Sequence, residues 1–477
     1  MAINARFWKW SPMVSLAMGC ALTALISRET LAGTPISEPL RRLDSNPRYF
    51  TDGSGKAILL VGSHNWHNFQ DNGHRLPTGD DPPPAFDYDS YLDFLDKHNH
   101  NFFRLWRWEA PRWSDAQPAG VVKYCLPHPW KRTGPGLAAD GKPKFDLTEF
   151  DSDYFTRLRE RITKARDRGI YVSVMLFEGW ELQFTDAWKY HPFHGPNNVN
   201  QIDADPTGRG LLLNQLRDDP MGKKVLELQE AYLRKVVDTV NDLDNVLYEA
   251  CNEANADSTP WQYHIIRFVH DYESSKPKRH PVGITFMYPG GTNKILIDSP
   301  ADWISPNPGT SEENYKGNPS PRDVGKVIVN DTDHLWGHTG GDSVWVWRSF
   351  TRGLNLLFME ELTPSPTWQD SARVAMGQVR RYSQRINLAR MLPLPSLMQT
   401  GFVLADRGRE YLAYQDGSQG EFSLDLQDAP GRFTVEWFDI TQGKVIPARA
   451  VEGGARRVFT TPFPGPAVLY LKRDERQ

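Results

Sequence analysis

The chain predicts an α/β fold: a (β/α)8 TIM barrel followed by a small antiparallel β-sandwich. Three observations carry this expectation. From about residue 55, short apolar runs alternate with amphipathic helical stretches, the pattern of parallel strands joined by crossover helices. Eight such repeats fit in roughly 330 residues, inside the usual barrel range of about 200 to over 400. Beyond Leu392-Pro393-Leu394-Pro395 the helical period stops and strand-like alternation takes over.

The predicted strands, in order, are AILLVGS (57–63), FFRLWRW (102–108), IYVSVMLFE (170–178) and NVLYEA (245–250), then PVGITFM (281–287), ADWIS (301–305), KVIVND (326–331) and LNLLFME (354–360). Between them, one helix gathers Phe155, Leu158, Ile162 and Ala165 on a single face, and another gathers Val225, Leu228, Tyr232 and Val236. The last does so with Ala372, Ala375, Val379, Tyr382 and Ile386, while the fifth and sixth crossovers are short or irregular. In the tail, Phe422, Leu424 and Leu426 alternate, as do Phe433, Val435 and Trp437. Turns at Asp416-Gly417, Pro430-Gly431 and Gly453-Gly454 separate these runs, and VLYL (468–471) closes the set. The expected boundaries are 1–32 for a leader, 33–393 for the barrel and 394–477 for the sandwich.

Charge is nearly balanced, with 55 basic and 59 acidic residues and no polybasic run, so nucleic acid is not an expected partner. Arg6 and Lys9 precede an apolar stretch from Met13 to Ile26, and cleavage fits after Ala32. That is the layout of a signal peptide, implying export to a periplasm or the medium without stable membrane insertion after processing. Cys20 follows Ala-Met-Gly, a poor lipoprotein box. Only Cys125 and Cys251 remain beyond the leader, too few for a disulfide scaffold. Phosphate-loop, dinucleotide and serine-elbow motifs are absent, so no cofactor is expected.

Barrel active sites are built at the C-terminal ends of strands, where the fourth strand here runs into Asn252-Glu253. Glu253 is the candidate general acid/base, a role that needs its pKa raised by partial desolvation. Asn252 is a candidate ligand for a substrate hydroxyl; the competing reading of the pair is a helix cap. The seventh strand ends in Asp331-Thr332-Asp333-His334. Asp331 is expected ahead of Asp333 as the second carboxylate, with His334 orienting either, and Glu360 beside Glu361 as a competing pair. Arg104, a charge inside an apolar strand, needs carboxylate partners: either a catalytic one or a salt bridge closing the barrel bottom. Further candidate substrate contacts at strand ends are His64, Trp66, Trp106, Glu109, Glu178, Trp180, Tyr288 and Trp336, with 16 Trp in all favouring stacking on sugar faces. His64 and His67 leave metal binding as an alternative, although no HExxH motif occurs.

This layout resembles glycoside hydrolase clan A, in which a barrel carries its acid/base on strand four and its nucleophile on strand seven. The stretches NPRYFTDGSGKAILLVGSHNWHNFQD (46–71), IYVSVMLFEGW (170–180) and DTDHLWG (331–337) look like secreted cellulase-like and apiosidase-like barrel proteins. EFSLDL (421–426), GRFTVEWFD (431–439) and PFPGPAVLYL (462–471) are similar to a collagen-binding-type domain that follows such barrels. The resemblance implies a secreted enzyme cleaving O-glycosidic bonds of a polysaccharide or oligosaccharide with two carboxylates, by retention. One departure is that the clan's nucleophile is Glu, whereas the corresponding strand here ends in Asp331. The rival expectations are a catalytically inactive barrel that binds glycan or collagen, and a metal-dependent hydrolase.

Overall fold

The structure, a computed structural model, describes residues 36, 38–75, 83–117, 119–309, 314–362, 367–417 and 420–474. The expected leader over 1–32, including Cys20, lies outside these residues.

Eight parallel strands make the barrel: β1 (Val61–His64), β2 (Phe102–Leu105), β3 (Tyr171–Met175), β4 (Val246–Glu249), β5 (Val282–Thr285), β6 (Trp303–Ser305), β7 (Val327–Asp331) and β8 (Asn355–Met359). They pair in the order β1-β8-β7-β6-β5-β4-β3-β2. Every residue in them is buried, which is why they read as continuous apolar runs rather than alternations.

The seam between β1 and β2 is closed largely by side chains. Asn101, just before β2, accepts from the Val61 amide through Oδ1 (2.9 Å), donates to the Leu59 carbonyl (3.0 Å) and donates its own amide to the Val61 carbonyl (2.8 Å). Further up, Asn68 accepts from the Trp106 amide and donates to the Arg104 carbonyl. Gly62 permits this approach, since a Cβ there would stand 1.7 Å from the Phe102 carbonyl oxygen.

The helices are α1 (Tyr88–Lys97), α2 (Ser152–Asp167), α3 (Trp180–Phe184), α4 (Pro220–Val240), α5 (Thr259–Glu273), α6 (Asn293–Asp298), α7 (Thr332–Trp336), α8 (Ser343–Thr351) and α9 (Asp370–Arg385). The apolar faces foreseen on α2, α4 and α9 are buried against the barrel. The fifth crossover has only the six-residue α6, and no helix is described between β6 and β7. No described helix is long and apolar enough to cross a membrane.

The tail forms antiparallel strands β9 (Leu392–Pro393), β10 (Val403–Asp406), β11 (Glu410–Gln415), β12 (Glu421–Asp425), β13 (Arg432–Asp439), β14 (Lys444–Glu452), β15 (Arg456–Thr460) and β16 (Ala467–Arg473). Six pair in the order β9-β10-β11-β16-β13-β14, and β12 pairs with β15. Phe422, Trp437, Phe459 and Leu469 lie in the core between the two sheets. The other face of the larger sheet joins the barrel core through Leu412, Tyr414, Phe438 and Tyr470. There Trp347 of α8 stacks on Tyr414 (6.3 Å between centroids), and Tyr382 of α9 meets Phe438 edge-on (5.3 Å). Covering both faces explains why β11 is buried at every residue instead of alternating.

Asn101→Ala strands two buried backbone groups at the seam, each worth about 1–3 kcal/mol. The variant is expected to lose about 2–6 kcal/mol in denaturant unfolding; a parental midpoint would show that the seam does not depend on this side chain.

Candidate active site

Arg104 points into the barrel from β2 and is fully buried. A guanidinium has five N–H donors, and here five hydrogen bonds use them. Nε and Nη2 grip the Glu249 carboxylate at 2.7 and 2.6 Å, and Nη2 also reaches Asn252 Oδ1 at 2.7 Å. Nη1 divides between Asp331 Oδ2 (3.1 Å) and Asp333 Oδ2 (3.2 Å). Of the two sequence readings of Arg104, the carboxylate cluster at the strand tips is the one formed. Glu249, its bidentate partner, was missed by sequence reasoning. The available signal was a second charge within a buried-strand pattern, NVLYEA.

The two aspartates occupy different environments. Asp331 ends β7 with no exposure. Its Oδ1 accepts from the Asp333 amide (3.0 Å) and lies 3.1 Å from His64 Nε2, while Oδ2 faces Arg104. Burial alone would raise its pKa, but His64 and Arg104 outweigh burial and hold the carboxyl below its ordinary range. Asp333, in the first turn of α7, retains 8% side-chain exposure. Burial, with the Asp331 charge beside it, pushes Asp333 up to about 6. Asp331 is sealed behind its partners, whereas Asp333 keeps a small exposed edge at the strand tips.

Glu253 is half-buried, and burial, followed by the Asp333 and Glu178 charges, lifts its pKa well above the carboxylate range against the pull of Arg104. Its φ of +42° lies in the left-handed region, a conformation that is strained by about 1–3 kcal/mol unless its surroundings impose it. Those surroundings are specific. Gln183 of α3 donates from Nε2 to the Glu253 carbonyl (2.6 Å) and to the Tyr288 carbonyl (2.8 Å). The Gly179 amide donates to the Asn252 carbonyl (2.8 Å), and a Cβ on Gly179 would fall 2.4 Å from Ala254 Cα. Sequence reasoning also missed Gln183, which carries no motif.

One oxygen of Glu253, one of Asp333 and a ring nitrogen of His334 lie within 4.8 Å of one another, the only such trio of potential metal ligands among the described residues. The hydrogen bonds argue against His334 as a ligand. Arg104 fixes Asn252 Oδ1 as an acceptor, so His334 Nε2, 3.4 Å from that oxygen, carries the hydrogen. Nδ1 then accepts from Ser305 Oγ (2.8 Å), and burial keeps the ring neutral by lowering its pKa to about 3. His64 and His67 do not converge either: the first faces Asp331 and the second Lys123.

Several expected substrate contacts are sealed inside. His64 and Glu178 have no exposure, Asn252 1% and Trp106 2%. Asn252 is spanned between Arg104 and Glu178 Oε1 (3.0 Å) and so orients the site from within. Glu178 belongs to a second buried acid group with Glu109 and Glu181. Burial pushes Glu178 up to about 8, whereas Glu109 is held low by Arg107 and His191 in spite of burial. Glu360 turns away from the mouth into a bidentate pair with Arg373 of α9, which removes it as a competing carboxylate; Glu361 is exposed near His338. The rings that do reach the surface are Trp66, Trp180, Tyr288 and Trp336. Trp180, Phe184 and Tyr288 form a chain with centroids 5.8 and 5.6 Å apart, leading outward beside the Glu253 turn.

A family described as "Domain of unknown function (DUF6298)" matches residues 101–289. No curated protein matches the chain. Among solved structures, a glycoside hydrolase aligns with a TM-score of 0.56 at 11% identity, over 92% of this chain and 98% of its own. A glycoside hydrolase family 5 protein from Bacteroides vulgatus aligns with a TM-score of 0.57 at 11% identity, over 92% and 95%. At that identity the likeness establishes the fold.

Asp331→Asn removes a buried partner of Arg104 and His64 and is expected to destabilise the protein by about 3–5 kcal/mol near neutral pH. Because the folded pKa of Asp331 is depressed, its contribution is present above the unfolded value and lost as pH falls towards the folded one. The gap between variant and parent should therefore narrow in unfolding curves taken from pH 6 down to pH 3. A gap independent of pH would contradict an ionised Asp331.

Proposed function

We propose that the chain is a retaining glycoside hydrolase in which Glu253 is the acid/base and Asp333 the nucleophile. The observation that carries this reading is the approach of a Glu253 oxygen to within 4.8 Å of an Asp333 oxygen, both side chains half-buried beyond the C-terminal ends of the barrel strands. Carboxyl groups about 5–5.5 Å apart suit retention, whereas inversion needs about 6.5–9.5 Å to admit a water. The pKa shifts support the division of roles: Asp333 is brought to about 6, and burial, with the Asp333 and Glu178 charges, pushes Glu253 well above the carboxylate range, the direction that a proton donor needs.

In the first step Glu253 protonates the glycosidic oxygen while an Asp333 oxygen attacks the anomeric carbon. The leaving group departs and a glycosyl ester forms. Esterification removes the Asp333 charge, the largest electrostatic influence holding the Glu253 proton, so Glu253 ionises more readily at the moment it must act as a base. It then takes a proton from water, which attacks the same carbon and frees Asp333. Arg104 donates to Asp333 and Asn252 throughout and keeps both aligned. Trp66, Trp180, Tyr288 and Trp336 offer ring faces to a carbohydrate substrate, a polysaccharide or its fragments. We assign 33–393 to the catalytic barrel, 394–477 to an accessory module that braces it, and 1–32 to an export signal.

Glu253→Gln and Asp333→Asn are each expected to lower kcat on a natural-linkage oligosaccharide by about 100-fold or more. Asp333→Asn should do so at a near-parental melting temperature, unlike Asp331→Asn. Product anomers followed by NMR should match those of the substrate; inverted products, or full turnover by Asp333→Asn, would sink the assignment.

The profile of kcat/KM against pH should be bell-shaped. It should rise as Asp333 ionises near pH 6 and fall at higher pH as Glu253 loses its proton, with both limbs belonging to the coupled pair. A profile flat across pH 5–7 would contradict it.

A further inference from the structure

A 440 Å³ cavity lies beside the acid pair, lined by Lys316, Trp336, Asp342, Trp345, Arg348 and Trp368, and neither proposed catalytic carboxylate belongs to it. Its residues follow the C-terminal ends of β6, β7 and β8, so it opens on the same side of the barrel as Glu253. Trp336 is three residues beyond Asp333 in the same helix, α7. Three residues of helix advance about 4.5 Å, so the cavity wall begins roughly one turn from the proposed nucleophile.

The chemistry of the lining is that of a carbohydrate site. Trp368 is 51% exposed and Trp336 half-buried, while Trp345, 3% exposed, meets Trp336 edge-on at 6.2 Å and forms the floor. Lys316 Nζ stands 5.3 Å from the Trp336 ring centroid, and Asp342, exposed, caps α8 through the Trp345 amide (2.9 Å). Arg348 is compensated: it donates to Asp416 Oδ2 (2.9 Å) and to the Gly317 carbonyl (3.0 Å). The cavity therefore presents flat apolar rings, an ammonium and a carboxylate in near charge balance, which suits hydroxyl groups better than a charged ligand. Its volume lies within the range of about 300–1,000 Å³ usual for small-molecule sites. The loop beneath is shaped around the indole. A Cβ on Gly340 would come within 2.4 Å of Trp336 Cγ, and Gly341 has φ +102°.

We infer that this cavity is a binding subsite for a neutral sugar unit, so that the substrate is a chain reaching from the Glu253–Asp333 pair across Trp336 to Trp368. The inference rests on the glycosidase reading for its substrate and on the cavity itself for its place. It also gives the accessory module a part in the cleft, because Asp416, at the end of β11, holds Arg348 in the lining.

The test uses the full chain carrying Glu253→Gln, titrated with cellotetraose, xylotetraose, mannotetraose and trigalacturonate and followed by calorimetry and tryptophan fluorescence. At least one neutral tetrasaccharide should bind. Trp368→Ala on that background should weaken it roughly tenfold at a parental melting temperature, and Lys316→Ala should weaken it in the same direction. Unchanged affinity in Trp368→Ala, tightest binding of trigalacturonate, or binding of none of the three neutral sugars would overturn the subsite. A tetrasaccharide that binds through Trp368 but is not cleaved by the parent would leave the subsite standing and defeat the glycosidase reading. Cleavage without dependence on Trp368 would do the reverse.

Discussion

The Arg104 guanidinium is the constraint around which the barrel mouth is arranged. A buried cation must find partners, since the desolvation penalty is several kcal/mol even after relaxation. Arg104 finds them on β4, on β7, on the first turn of α7 and on the turn that carries Glu253. One planar group thus sets the spacing of elements far apart in sequence. Its fork geometry, which an ammonium could not reproduce, turns electrostatic need into position.

The same group spreads the protonation states of its neighbours. Asp331, enclosed by Arg104 and His64, stays ionised; Asp333, buried, feeling the Asp331 charge and sharing one Arg104 nitrogen with it, lies near 6; Glu253, buried and facing the Asp333 and Glu178 charges, is pushed well above the carboxylate range. Behind them Glu178 links to Arg104 through Asn252, so the second acid group is electrically continuous with the first. Glu253 reaches the mouth only because its backbone is held in a left-handed turn by Gln183 and by the space that Gly179 leaves. Strain of this sort persists where the surroundings over-determine it.

The tail sheet is part of this mechanical frame rather than a separate bead. It buries one face in its own sandwich and the other against α8 and α9, with aromatic contacts on both sides. Helix α8 is also the element whose Arg348 meets Asp416. Packing of the tail sheet and the shape of the cleft over β7 and β8 are therefore coupled through a single helix.

The sequence alone determined the fold, because buried parallel strands and one-sided helices leave periodic apolar patterns that need no partner to be read. All eight barrel strands, the irregular crossovers around β6 and the switch to antiparallel texture after residue 392 were legible this way. So were the neighbourhoods of the site: Arg104, Asn252-Glu253 and the Asp331–His334 cluster each stand out as polar groups in or directly after apolar strands. Only the tertiary structure decided which of those groups face solvent. Asp331 and Asp333 differ by two residues, and their fates separate because one ends a strand against His64 while the next turn of helix lifts the other into the mouth. Glu360 found Arg373 and Glu249 found Arg104, pairings across space that composition and spacing do not encode. Burial and charge pairing are properties of the assembled barrel, and the chemistry of this site lies in them.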